Sequence, residues 1–198
     1  MINMIVRLDK YKNYRQYINH QKEKTTKNIV IKNHIDNWNK RVKYFEDELK
    51  YINIKKNSKC LCIASRYGEE VEALKNLGFD AVGIDLVECK PLTIKMDMHN
   101  LKFNNNTFDF VYTNAIDHSY YIDKVIKEMI RVLKNNGILM IKIELNNQNE
   151  YESYLFESES DINSIVNKNL NSYELENFTK KGEGKCIWHV FIYNNIIK

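Results

Sequence analysis

Asp85 closes a short apolar run, Ala81–Ile84, that follows the turn Ala64-Ser65-Arg66-Tyr67-Gly68 by ~20 residues. A carboxylate in that place, at the end of the second strand of a strand–turn–helix–strand unit, holds a ribose by its hydroxyls. Asp97 ends another apolar run, 92–96, and Asn114–Ser119 follows a third, 109–113. Ligands of parallel sheets sit outside the carboxyl ends of the strands. The candidates are therefore Ala64, Ser65, Arg66 and Gly68 in the turn, Asp85 with Leu86, Asp97, and Asn114, Ala115, Asp117 and His118. A dinucleotide requires a turn with three glycines so that backbone can approach the pyrophosphate. This turn has one glycine, and Arg66 and Tyr67 obstruct that approach. The pattern suits a nucleoside without phosphates.

These residues depend on elements that alternate in type. Cys60–Ala64 is an unbroken apolar run, as in a strand buried on both faces. From Glu69 the period changes, and Val71, Leu74 and Leu77 recur at helical spacing. Glu69 and Glu70 suit a helix N-terminus, and Gly78 the position after its end. Strands are expected at 81–84, 92–96, 109–113 and 138–145, and a helix at 121–134 with Ile122, Val125, Ile126, Met129, Ile130 and Leu133 inward. A turn is expected at Asn135-Asn136-Gly137. Lys142 interrupts the apolar strand 138–145 and requires a partner; Glu144, on the same face, is the expected one.

Upstream, Tyr11, Tyr14, Tyr17 and Ile18 predict a helix within 9–27. Ile35, Trp38, Val42, Phe45 and Leu49 predict another over 34–51. Downstream, Ser160 is expected to cap a helix over 161–168. Strands over 170–178 and 186–194 flank the turn 180–185 as a hairpin. The expected fold is α/β: a Rossmann-like, doubly wound, mostly parallel sheet with an N-terminal helical cap and a C-terminal antiparallel hairpin. The 198 residues suit one domain, divided into a cap (1–56), a cofactor-binding core (57–145) and a C-terminal helix with its strand pair (146–198).

Charge is uneven. Residues 1–60 carry 15 Lys/Arg against 6 Asp/Glu, whereas the whole chain has 30 against 26. A basic arm of this kind either faces nucleic acid or an anionic substrate, or coats two solvated helices. No apolar run reaches the ~20 residues of a membrane span, and the N-terminal segment lacks a cleavage site. Cys60, Cys62, Cys89 and Cys186 form no CxxC pair, and no metal site is expected. Cys60 and Cys62 are expected on opposite faces of one strand, as buried free thiols of a reducing, cytoplasmic compartment.

Four segments together resemble the class I S-adenosylmethionine-dependent methyltransferases of the small-molecule, type 11 kind. They are L-C-I-A-S-R-Y-G-E-E-V (61–71), V-G-I-D-L (82–86), D-M-H-N-L-K-F-N-N-N-T-F-D-F-V (97–111) and E-M-I-R-V-L-K-N-N-G (128–137). The resemblance covers residues 58–145 and implies a seven-stranded sheet and S-adenosylmethionine as cofactor. Asp85 then takes the ribose and Asp97 the adenine amine, unless each only caps a turn. Met98 and His99 flank the adenine or line a loop. Arg66 reaches the cofactor carboxylate or pairs with Glu69 or Glu70. Tyr17, Gln21 and Lys24 resemble an element that closes over the cofactor, with core packing the plainer alternative. Ala64 and Arg66 stand where the family has glycines, Lys102 where it has proline, and Asn135-Asn136 where it has Pro-Gly.

Methyl transfer is an in-line displacement that alignment alone accelerates, with a base needed only where the acceptor loses a proton. His118, with Asp117 beside it, is the candidate base; its alternative is to pack against the cofactor or cap the next helix. Asn114-Ala115-Ile116-Asp117 lacks the prolines of base amino-methylation. No cysteine between Cys89 and Cys186 serves cytosine carbon methylation, and a Lys-Asp-Lys-Glu set for ribose is incomplete. A small-molecule acceptor is the expectation. An RNA acceptor, through the basic arm, and a catalytically silent binding module stand behind it.

Overall fold

The computed structural model describes residues 6–169, 173–181 and 188–195, and side chains over 6–169. A two-residue strand, β1 (Val6–Arg7), leads into three helices, α1 (Tyr14–Thr26), α2 (Asn28–Asp36) and α3 (Trp38–Leu49). Next come β2 (Lys59–Ile63), α4 (Glu69–Asn76), β3 (Asp80–Asp85), β4 (Thr93–Lys95) and β5 (Phe108–Thr113). A 3₁₀ turn at Ile116–His118 precedes α5 (Ile122–Val132), β6 (Leu133–Glu144), β7 (Tyr154–Leu155), α6 (Glu159–Asn169), β8 (Tyr173–Lys181) and β9 (Trp188–Asn195).

The main sheet runs β4-β3-β2-β5-β6-β9-β8. The five strands from β4 to β6 are parallel, and β9 lies antiparallel between β6 and β8. This is the expected Rossmann-like sheet with its antiparallel C-terminal pair. The strand order reverses between β2 and β5, so the loops after β2, β3 and β5 meet at one edge, which is where such sheets bind ligands. The second sheet pairs β1 with β7. Two-residue strands leave no periodicity to read in the sequence.

Side-chain alternation along β2 divides the core. Leu61 and Ile63 face Tyr17 of α1 and the apolar stripes of α5 and α6. Cys60 and Cys62 face Val42, Phe45 and Leu49 of α3 and Val71 and Leu74 of α4. The two cysteines thus share a face, contrary to the expectation of opposite ones, because residues two apart on a strand point the same way. Both thiols are free and buried.

Other expectations shift. The cap has three helices: the chain breaks at Lys27, which is extended, and again at Asn37. α5 ends at Val132, and the residues expected as a turn, Asn135–Gly137, continue β6 with Asn136 at φ +60°. Ser160 lies inside α6. The Asp161 carboxylate instead accepts from the backbone N–H groups of Glu157 (2.9 Å) and Ser158 (2.8 Å). β8 takes in Lys180 and Lys181, and the rest of the turn read at 180–185 lies outside the described residues, as does Cys186. Lys142 takes Glu48 of α3, not Glu144, as its carboxylate partner, at 2.9 Å.

β3 and β2 approach α4 and β4 closely only because position 83 is glycine. A Cβ there would lie 2.2 Å from Ser65 Oγ, 2.8 Å from Val71 Cγ2 and 2.9 Å from Thr93 Oγ1. Gly83→Ala is expected to cost about 1–3 kcal/mol as an overpacking change, measured as a fall in the urea midpoint at unchanged m-value.

Candidate functional site

The turn after β2 keeps a glycine-like path with only one glycine. Ala64 has φ +57° and Arg66 φ +49°, and Gly68 φ +94°. The first two pay a steric cost of about 1 kcal/mol or more each. The path aims the Arg66 N–H at Asp85, whose Oδ2 accepts it at 3.0 Å, while Oδ1 accepts the N–H of Val87 at 3.1 Å. Asp85 is therefore held rigidly at the end of β3. Burial pushes its pKa up against those hydrogen bonds.

Asp85 faces a cavity walled by Ala64, Ile84, Leu86, Met96, Asp97, Met98 and Ala115, with Arg66 and His118 at one end. α1 roofs it through Tyr17, Gln21, Lys24 and Thr25. Gln21 Nε2 donates to the Tyr151 carbonyl at 2.7 Å, the Tyr67 hydroxyl donates to the Thr25 carbonyl, and Tyr14 donates to Asp97 Oδ2. With α1 so tied, the enclosed room is ≈ 60 Å³, several-fold below the ~300–1,000 Å³ of small-molecule pockets.

Asp97 is the hub of that roof. Its Oδ1 accepts from the backbone N–H of His99 at 2.9 Å and from the His99 ring Nδ1 at 2.8 Å. His99 Nε2 accepts the N–H groups of Tyr120 (3.1 Å) and Tyr121 (3.2 Å), which assigns the ring proton to Nδ1. Burial opposes ionisation of Asp97, but the bonds from His99 and Tyr14 outweigh it and hold the carboxyl down to about 2.

A second cavity adjoins the first and shares Lys24, Ala64, Arg66, Ala115 and His118 with it. Its other walls include His34, Arg41, Glu69, Glu70, Asn114, Glu144 and Glu152. Arg66 reaches neither Glu69 nor Glu70 directly. Its Nη1 donates to His34 Nε2 at 3.0 Å, His34 Nδ1 donates to Glu69 Oε1, and Arg41 Nε donates to the same oxygen at 2.9 Å. Glu70, beside them, is buried, and desolvation raises its pKa to about 8. A carboxyl whose folded pKa is raised stabilises least where it must ionise: stability falls as pH rises from the unfolded value, near 4.5, towards about 8. Glu70→Gln is expected to remove that loss, gaining about 2–3 kcal/mol relative to wild type between pH 5.5 and 7.5. Urea unfolding at the two pH values measures it.

At the junction of the cavities His118 Nε2 lies 3.2 Å from Lys24 Nζ. Burial, then Lys24, hold the imidazole well below its ordinary value. Burial and Arg66 lower the ammonium to about 8, and burial raises the Asp117 carboxyl to about 6.

Of the residues singled out from sequence, Ala64, Arg66, Asp85, Leu86, Asp97, Met98, Ala115 and His118 line the first cavity. Ser65 and Asn114 line only the second. Ser65 Oγ bonds Thr93 Oγ1 at 3.0 Å behind the turn. His99 and Gly68 line neither; His99 is buried behind Asp97, and Gly68 begins α4. Asp117 is buried and lines neither. Sequence reasoning did not single out Tyr14 for Asp97, His34 for Arg66, or Glu152. These join the site from elements far away in the chain, and no spacing signals them.

The turn, the ribose-type carboxylate and the roofed cavity coincide with a family match. Residues 61–141 match the model described as a methyltransferase domain. This stretch is similar to a methyltransferase domain. A search of curated proteins gives no match. Among solved structures, the domain and its flanks are similar to the Burkholderia thailandensis 1,6-didemethyltoxoflavin-N1-methyltransferase, solved with 1,6-didemethyltoxoflavin and S-adenosylhomocysteine (11% identity, 98% of this chain and 95% of that one, TM-score 0.73). A putative methyltransferase in complex with the Haloferax volcanii Trm112 activator is similar at 10% identity (92% and 98%, TM-score 0.69). An S-adenosylmethionine-dependent methyltransferase of Methanosarcina mazei is similar at 16% (73% and 95%, TM-score 0.63). These likenesses concern the fold. S-adenosylmethionine is the cofactor of the matched family, and the first cavity has the chemistry to take it: a fixed carboxylate at Asp85, apolar walls at Ile84, Leu86, Met96 and Met98, and cations at Arg66 and Lys24. No helix among the described residues is long and apolar enough to cross a membrane.

Proposed function

We propose that the whole chain acts as one methyltransferase unit that moves a methyl group from S-adenosylmethionine to a small-molecule acceptor. The observation that carries this is the second cavity, which meets the first at Ala115 and His118. A donor in one and an acceptor in the other meet end to end, as an in-line displacement requires.

In this reading Asp85 holds the ribose hydroxyls, with Leu86 and Met98 against the base. Asp97 presents its remaining lone pairs to the adenine amine while Tyr14 and His99 keep it ionised. The turn Ala64–Gly68 and Arg66 receive the amino-acid tail. The bound cofactor supplies an electrophilic methyl on a sulfonium. His118 offers the acceptor its Nε2 lone pair, in competition with Lys24, and takes a proton where the acceptor must lose one. Asp117 Oδ1 stands 3.9 Å from that imidazole nitrogen. The free, buried thiols of Cys60 and Cys62 suit a reducing cytoplasm.

Thermal unfolding with S-adenosylmethionine tests the reading first. Cofactor at about 100 times its Kd adds ~2.7 kcal/mol, a Tm rise of roughly 5–10 °C for a domain of this size. No rise at millimolar cofactor removes the proposal. Transfer of a labelled methyl to the low-molecular-weight fraction of a cell extract then tests the acceptor class, and label confined to RNA or protein overturns it.

A further inference from the structure

His118 and Glu152 line the second cavity, and Asp117 is buried beside them. Ser153 N donates to the Asp117 carbonyl at 2.8 Å and Ser153 Oγ to the His118 carbonyl at 3.3 Å, which ties the segment before β7 to the 3₁₀ turn. His118 Nε2 is then 3.9 Å from Asp117 Oδ1 and 4.0 Å from Glu152 Oε1, and the three donor atoms lie within 4.8 Å of one another. Both carboxylates are more than nine-tenths buried, and Asp117 Oδ1 and Glu152 Oε2 have no hydrogen-bond partner. Among the described residues, neither carboxylate has a lysine or arginine at ion-pair distance, and the imidazole beside them is held neutral by burial and by Lys24. Two buried carboxylates with idle oxygens are costly unless a cation compensates them.

We propose that Asp117, His118 and Glu152 bind a divalent metal ion facing the acceptor cavity. Ligand atoms ~2.1 Å from one ion lie roughly 3–4 Å apart, so the three side chains need close by less than about 1 Å. One imidazole nitrogen with two carboxylates suits Mn²⁺, Fe²⁺, Co²⁺ or Zn²⁺ better than Ca²⁺ or Mg²⁺. Three protein ligands leave open positions, which an acceptor oxygen or nitrogen can enter. The Lys24 ammonium, on the His118 lone pair at 3.2 Å, competes with the ion for that nitrogen. Lys24 belongs to the roof helix α1, so an ion at this site excludes one of the contacts that hold the roof down. A bound ion also takes over from His118 the task of activating the acceptor. That last role rests on the function proposed above; the binding of the ion does not.

Titration calorimetry of the metal-free full chain with Mn²⁺, and in parallel with Zn²⁺, tests the site without cofactor or acceptor. One saturable site is expected with at least one of these ions. Affinity should fall about 10- to 100-fold or more in Glu152→Gln and in Asp117→Asn, each checked for native circular dichroism. It should rise in Lys24→Met. Asp85→Asn, altered only in the first cavity, should bind the ion as wild type does. The assignment is overturned by the absence of saturable uptake of either ion, or by uptake that both carboxamide variants retain unchanged. Ion uptake by a chain that ignores S-adenosylmethionine removes the methyl-transfer reading and leaves this one standing.

Discussion

Asp85→Ala is expected to lower affinity for S-adenosylmethionine by roughly 100- to 1,000-fold. In the function proposed above the carboxylate offers two oxygens to the ribose diol, and hydrogen bonds to a charged group contribute about 1.5–3 kcal/mol each. Losing two in part amounts to about 3–4 kcal/mol. The side chain is already aimed, since the N–H groups of Arg66 and Val87 hold one lone pair on each oxygen. The cofactor therefore meets a group that has no orientation left to lose. The same geometry limits the cost to folding. Burial raises the pKa of Asp85, so an ionised carboxylate there is itself expensive, and its removal offsets part of the two lost hydrogen bonds. Calorimetric titration with the cofactor, paired with urea unfolding, separates the effects. A variant that folds and binds within about threefold of wild type would remove Asp85 from the site.

Glu48→Ala is expected to cost about 3–5 kcal/mol of stability, a large share of the ~5–15 kcal/mol of an ordinary domain. Lys142 is 2% exposed, inside a strand of the central sheet. Its Nζ donates to Glu48 Oε2 at 2.9 Å and to the Tyr44 hydroxyl at 2.7 Å, and it stands 4.6 Å from the Tyr44 ring centre. Removing the carboxylate takes away the opposite charge 2.9 Å from a buried ammonium. Replacing both partners by apolar residues, Glu48→Leu with Lys142→Met, is expected to restore most of the loss, because an apolar pair of similar volume carries no desolvation cost. Urea denaturation at pH 7 reads all three proteins. A single variant that loses less than about 1 kcal/mol, or a double variant below the single, contradicts the account.

The two cases differ in how far each residue could be read in advance. Asp85 sits at the end of an apolar run, ~20 residues past a turn, and both features are local. That Tyr17, Gln21 and Lys24 of α1 line its cavity was implied only by the family resemblance, and their spacing shows no more than one helix face. Lys142 was visible as a problem, a charge in an apolar strand, but its partner was not. Glu144 is two residues away and shares its face, yet at the strand's end it is half-exposed, while Glu48 of α3 packs against the buried end of the lysine. Nearness in sequence favoured the wrong carboxylate. The cysteines teach the opposite lesson, since the period of two along β2 already places Cys60 and Cys62 on one face.

By itself the sequence determined the alternation of strands and helices, the turn at Ala64–Gly68, and the carboxylates at the ends of β3 and β4, because each is a periodicity or a spacing within about 30 residues. It also carried the family, through four short segments that are each local. The tertiary structure alone decided what the carboxylates do. Tyr14 reaches Asp97 across 83 residues, Lys142 reaches Glu48 across 94, and His118 meets Lys24 across 94. Glu152 joins Asp117 and His118 only because a segment near β7 folds back on the 3₁₀ turn. Burial is what gives these encounters their chemistry, since the same groups in water would be independent charges. In the core they must find a partner of opposite charge, share a proton or hold a ligand, and only the packing of distant elements settles which.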